Sequence, residues 1–276
     1  MCLPLSAFYA MKQEINIIKV GGAVVEDAES LATVLDQFAD VHGHKVLVHG
    51  GGREATRIAA SLGIESRMVN GRRITDQDML RIVTMVYGGL VNKTVVAKLQ
   101  ALGINAIGLT GADMDIIRSH RRPLKEVSMD DGHTEMVDFG YVGDVDTADG
   151  KALSDIVESN IVPVVAPLTH DGRGTILNTN ADTIASAVAR ALAPFYRVTL
   201  TYCFEMPGVM RDPEDKDSVI RKITRESYAL LKADNVVSGG MIPKLDNAFE
   251  AISQGVSRVV ITHFNDIAAR NGTTIL

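Results

Sequence analysis

Twice between residues 15 and 63 the chain runs from a short apolar stretch into glycines and then into a helix-spaced segment. Residues 15–20 read as a strand closed by Gly21-Gly22, and 28–41 carry Leu31, Val34, Leu35 and Phe38 at helical spacing. Residues 45–48 repeat the strand, Gly50-Gly51-Gly52 close it, and 54–62 read as a helix stopped at Gly63. Parallel strands cannot be joined by a tight turn; they need a crossover, usually a helix. The alternation therefore predicts an α/β fold built on a parallel sheet.

The same reading continues downstream. Residues 68–75 hold the hairpin signal Asn70-Gly71. Asp76 is suited to cap a long helix reaching about Leu102, with Gly103 as its stop. Residues 105–109 read as another buried strand, and 118–142 as polar, broken hairpins or loops. A helix over 150–159 and a strand over 161–166, with Pro163 inside it, come next. Helices are expected over 183–192, 226–232 and 245–254, and strands over 197–204 and 258–263. A lobe boundary is expected near 168–178. It divides a leader (1–14), an N-terminal lobe (15–170) and a C-terminal lobe (171–276).

Composition excludes several functions. With 276 residues and 46% hydrophobic content, the chain can bury a sizeable core. A net charge of -6 gives no general attraction to nucleic acid or anionic membrane, and 5% aromatics without Trp make a base-stacking platform an unsuitable reading. Two cysteines, Cys2 and Cys203, without CxxC spacing, point away from disulfides and zinc and towards a reducing cytoplasm. No apolar run is expected to approach membrane-spanning length. The first ten residues lack a basic segment, so a signal peptide is not expected.

Three features carry chemistry. Glycines at strand ends allow backbone amides to approach an anion at a helix N-terminus, although each pair alone fits a plain tight turn. Neither GxxxxGK[ST] nor GxGxxG is present, which disfavours Walker and standard dinucleotide sites. Lys19 closes the first strand and Lys244 opens a late helix; a lysine in a buried strand is costly unless it meets an anion. In NTNADT (178–183), alternation would set Asn178, Asn180 and Asp182 on one side of an extended segment, while helix capping by Asn180 or Asp182 is the plain alternative.

The motifs KVGG (19–22), HGGG (49–52), NGRRIT (70–75), GYVGDV (140–145), NTNADT (178–183) and GGMIPK (239–244), in this order, resemble the acetylglutamate kinases of the amino acid kinase family. The resemblance runs from about Ile15 to the C-terminus. It implies a three-layer αβα sandwich with an open, mainly parallel eight-stranded sheet. It also implies ATP-dependent phosphorylation of the γ-carboxylate of an N-acyl-L-glutamate on the way to arginine. Lys19 is then expected near the γ-phosphoryl group and Lys244 near the leaving side, with Asp182 accepting from both. Gly22 and Gly51 would donate backbone N–H groups, and Gly21 and Gly52 would shape the turns. Arg73 and Asn178 would bind the substrate, supported by Asn180. Mg²⁺ would ride on the ATP phosphates with no dedicated protein site. The leader is too short to supply the long N-terminal helix of arginine-inhibited relatives, so a homodimer without arginine feedback is implied.

Two departures stand out. Arg72 occupies a position that is usually apolar; it is either an added cation suited to a more acidic acyl group such as succinyl, or a solvent-facing side chain. Phe204 and Glu205 replace a small polar residue and an aspartate in a segment that commonly reads TDVPGV, which leaves the adenosine contacts open. Competing readings are another carboxylate or carbamate kinase of the same family, and a regulator that binds nucleotide or amino acid without turnover.

Overall fold

The computed structural model describes residues 12–69, 71–128, 133–212, 214–237, 241–269 and 271–276. Cys2 and most of the leader, Asn70 of the hairpin, and Gly239-Gly240 ahead of Lys244 lie outside the described residues.

Eight strands form the central sheet: β1 (Glu14–Val20), β2 (His44–His49), β3 (Ala106–Leu109), β4 (Val162–Val165), β5 (Arg197–Phe204), β6 (Lys222–Ile223), β7 (Arg258–His263) and β8 (Thr273–Ile275). Their spatial order is β6-β8-β7-β5-β1-β2-β4-β3. All neighbours are parallel except β7 and β8. The sheet is buried on both faces, which is why β1 reads as a nearly continuous apolar run. Ile15 and Ile17 join one core with Val188 and Leu245, and Ile18 and Val20 join the other with Leu35 and Val83. Strands from the first 165 residues make one half of the sheet and those from residue 197 onward the other; β1 and β5 are the seam.

The helices that cover the sheet are α1 (Gly22–Glu26), α2 (Ala28–Ala39), α3 (Gly52–Ser61), α4 (Gln77–Val83), α5 (Asn92–Ala101), α6 (Gly150–Glu158), α7 (Ala181–Leu192), α8 (Arg225–Ala233) and α9 (Met241–Ser253). Caps at α2, α4 and α6 come from Asp27, Asp76 and Asp149, each accepting a backbone N–H from three residues on. The strand-loop-helix steps after β1 and β2 bring the starts of α1 and α3 together at the carboxyl ends of adjacent strands.

The long helix after Asp76 runs to Ala101 as expected, although its middle, Thr84–Val91 with Gly88-Gly89, is π-helical and joins α4 to α5. Four other expectations change. Over Gln77–Ala101 this helix is long and apolar enough to span a membrane, against the sequence expectation. Its side chains Ile82, Val83, Val86, Val95 and Leu99 are buried in the core beneath the sheet. Strand β3 is an edge rather than a buried strand, and Ile107 is 39% exposed. The polar stretch forms the expected hairpin, Lys125–Ser128 with Thr134–Val137, but it also gives Ile117–Arg121 to a second, four-stranded sheet with Gly143–Ala148, Leu168–His170 and Ile176–Asn178. NTNADT is not one extended segment. Asn178 ends a strand and the helix begins at Ala181, because the Asn180 side chain caps it by accepting from the N–H groups of Asp182 and Thr183.

Candidate active site

The two glycine turns touch backbone to backbone. A Cβ on Gly50 would stand 2.7 Å from the Gly22 nitrogen, and one on Gly22 would stand 3.1 Å from the Gly51 nitrogen. Only glycine allows this approach, which directs two helix N-termini at one spot. Tyr87, delivered by the π-helical stretch, packs its ring against Gly51, where a Cβ would meet it at 3.0 Å.

Lys19, second to last in β1, is nearly buried. Its Nζ lies 2.8 Å from Oδ1 of Asp182 in the first turn of α7. That oxygen is shut off from water and makes no well-directed hydrogen bond, so the contact is an ion pair held by charge. Lys244, in the first turns of α9, does not reach Asp182 as expected; its Nζ stands 4.1 Å from the centroid of the Phe204 ring. The two lysines are neighbours nonetheless. Lys19 Nζ is 5.7 Å from the same ring, and both Lys19 and Asp182 act electrostatically on Lys244. Burial pushes the Lys244 ammonium below the ordinary lysine range, Asp182 opposes this, and Lys19 adds to it.

Beside the glycines lies a cavity of about 200 Å³ lined by Gly22, Gly50, Gly51, Gly52, Arg72, Arg73, Tyr87, Arg122 and Asn178–Ala181. Arg73 is buried, and its terminal nitrogens already donate to Gly52 O, Thr56 Oγ1 and Ser66 Oγ. It therefore braces the glycine turn as well as bordering the cavity. Asn178 is buried too and donates to Thr75 Oγ1 at 2.9 Å. Arg72 borders the cavity, within electrostatic reach of Arg122, Asp144 and Asp182, and makes no ion pair among the described residues. Arg122 is bound to Asp144, and its fork holds that carboxyl below the ordinary aspartate range. A second cavity, lined by Gly21–Val24, Gly52, Arg53 and Cys203–Met206, shares Gly22 and Gly52 with the first. Glu205 lies there and also borders a third hollow with His263 and Asn271. Cys203 is fully buried, its thiol pushed up to about 12 by desolvation.

Sequence reasoning missed Arg122, Tyr87, the close approach of Gly50 to Gly22 and the burial of His49. His49 is fully buried, and its Nδ1 lies 2.7 Å from the Gly50 carbonyl, which only accepts; Nδ1 therefore carries the proton. Its Nε2 then accepts from Asn92 Nδ2 at 3.1 Å, and Asn92 also donates to Val164 O. The imidazole is neutral, its pKa lowered to about 4 by burial. A histidine whose folded pKa is depressed contributes stability that is complete above its unfolded value near 6.5 and is lost as pH falls towards 4. Denaturant unfolding at pH 7, 5 and 4 is expected to show a decline of roughly 3 kcal/mol from this group. In His49→Asn, which keeps the donor to Gly50, that decline should flatten; an unchanged slope would refute the assignment.

The fold and site together define a class: an α/β protein that gathers cations and backbone amides at the carboxyl ends of parallel strands, where two anions can be brought together. The chain belongs to the amino acid kinase family, whose pattern matches residues 14–263. It is 58% identical to the acetylglutamate kinase of Bacteroides thetaiotaomicron over 96% of this chain and 99% of that protein. The solved structure of smu.665 from Streptococcus mutans superposes with a TM-score of 0.72 at 27% identity, covering 95% of this chain and 98% of that one. An N-acetylglutamate synthase from Neisseria gonorrhoeae shares the fold, with a TM-score of 0.74 at 21% identity over 96% of this chain and 60% of the other.

Proposed function

We propose that this protein transfers the γ-phosphoryl group of ATP to the γ-carboxylate of an N-acyl-L-glutamate. The near-full-length identity to a curated acetylglutamate kinase supports the reaction. The observation that carries the mechanism is the Lys19–Asp182 pair with Lys244 beside it, at the mouth of two abutting glycine turns. A carboxylate nucleophile is ionised at neutral pH, so no general base is required. What opposes reaction is repulsion between the acceptor and the polyphosphate, and alignment with charge neutralisation overcomes it. Lys19 faces the transferring group, Lys244 the leaving oxygen, and the amides of Gly22 and Gly51 receive phosphoryl oxygens. Asp182 holds Lys19 in place. Mg²⁺ carried on the phosphates supplies further neutralisation. Asp182, the acid nearest the phosphate end, is engaged by Lys19, so the metal would be carried by the nucleotide phosphates.

The acyl-amino acid fits the cavity at Arg73 and Asn178, and the nucleotide the one at Gly21 and Phe204–Met206. On this reading the N-terminal lobe binds the acceptor and the C-terminal lobe ATP. A homodimer is part of the proposal, supported by the exposed apolar Met85, Leu90 and Ile107 on the long helix and edge strand β3. Arg72 and Arg122 at the acceptor cavity favour a dicarboxylic acyl group such as succinyl as a second acceptor, because Arg73 alone answers the α-carboxylate. Coupled ADP release with N-acetyl-, N-succinyl- and unmodified glutamate tests both points. Acyl-dependent turnover is expected. Arg72→Leu should lower kcat/KM for the succinyl compound by about tenfold while leaving the acetyl compound within about threefold. Equal effects on both would remove the acyl assignment, and no acyl-dependent ADP would remove the reaction.

A further inference from the structure

Phe204 departs from the family's usual small polar residue, and its surroundings are specific. It is the last residue of β5, in register with His263 of β7. Tyr202, buried on the same face two residues earlier, stacks on it with centroids 6.4 Å apart and planes 20° from parallel. The ring is thereby held from one side, and the ammonium group of Lys244 stands 4.1 Å from its centroid. Lys19, 5.7 Å from the centroid, has Asp182 as its ion-pair partner, whereas Lys244 makes no ion pair with a carboxylate among the described residues.

We propose that Phe204 is a positioning residue that holds Lys244 in the cleft beside the Lys19–Asp182 pair before phosphate arrives. This rests on the role given to Lys244 under the proposed function. The negative face of an aromatic ring attracts a cation most strongly when water is excluded, and Lys244 is partly buried. A second carboxylate would also hold the ammonium, but it would set a negative charge where two anions converge and form an ion pair that must break in each cycle. The ring adds no net charge and yields the ammonium to phosphate oxygens, whose charge-assisted hydrogen bonds are stronger. One acid then suffices for two lysines: Asp182 takes the first and the ring the second.

Phe204→Leu keeps the apolar bulk and removes the ring; Phe204→Tyr keeps the ring. Two readouts are compared in wild type and both variants: kcat and KM for ATP and N-acetylglutamate, and the titration of Lys244 in ¹³C-lysine-labelled protein without nucleotide, its signal assigned by loss in Lys244→Ala. The ring favours the charged ammonium, so its removal moves the Lys244 midpoint to lower pH. Phe204→Leu is expected to lower that midpoint by about half a unit to one unit and kcat by about five- to tenfold, with KM for N-acetylglutamate within about twofold. Phe204→Tyr keeps the ring and is expected to leave the Lys244 midpoint at its wild-type value. An unshifted Lys244 titration in Phe204→Leu, or an equal shift in the Leu and Tyr variants, would overturn the proposal and leave the ring as packing. The titration needs no turnover. Absence of acyl-dependent activity in wild type would therefore strike the proposed function, while the ring's hold on Lys244 would still be decided.

Discussion

Lys19→Ala is expected to lower kcat with N-acetylglutamate by about 10²- to 10³-fold, the effect of removing one preorganised charge from a water-poor site. The side chain meets Asp182 at 2.8 Å and projects from the strand that ends at the glycine turn. Lys244 does not replace it, because it stands over the Phe204 ring and its ammonium is already disfavoured, chiefly by burial. The fold should survive. The Asp182 side chain is 35% exposed and can be hydrated once its partner is gone, which limits the cost of the unpaired charge. Coupled ADP release gives the rate, and thermal unfolding checks that the protein remains native. A variant within about threefold of wild type in kcat would remove Lys19 from the mechanism.

Gly50→Ala is the second large effect. Its new Cβ would stand 2.7 Å from the Gly22 nitrogen and 3.1 Å from the Gly22 Cα. Both are backbone atoms of the opposing turn, so the two turns must part. Overpacking of this kind costs about 1–3 kcal/mol of stability, and a displacement near 1 Å at a reacting centre costs about 10²-fold in rate. Activity should therefore fall by about two orders of magnitude while most of the protein stays folded at 25 °C. Gly21→Ala is the control. Gly21 has φ -68° and ψ 156°, and a Cβ there meets no protein atom within 4 Å, so stability should stay within about 1 kcal/mol of wild type. If the two alanine variants behave alike, the contact between the turns is not what shapes the site.

Sequence and structure agree where the signal is local or repeats. The apolar runs ending in glycine became β1 and β2, since a strand buried on both faces needs an unbroken apolar face on each side, and the expected helices after them became α2 and α3, with the short α1 unforeseen. Asp76 and Asn180 cap their helices, as short polar side chains do when placed before a run of helix formers. The expectation for β3 failed because burial on an edge depends on which strand lies alongside, and periodicity carries no information about that. The long helix itself was legible; its π-helical middle was missed because the spacing of its apolar residues is helical on both sides of Gly88-Gly89.

What the residues alone determined is the alternation of strands and helices, the glycine turns at the strand ends, and a set of cations with one acid competent to meet an anion. Only the tertiary structure decided who meets whom. It gave Asp182 to Lys19, Phe204 to Lys244, Arg122 to the acceptor cavity and His49 to the Gly50 carbonyl. Each of these partners but Gly50 lies far away in sequence or in a stretch without periodicity, and their meeting is fixed by the strand order β5-β1-β2 and the packing of helices on both faces of that sheet. Coulomb attraction weakens with distance and ring attraction acts only within about 6 Å, so both depend on side-chain separations that the order of residues along a chain does not specify.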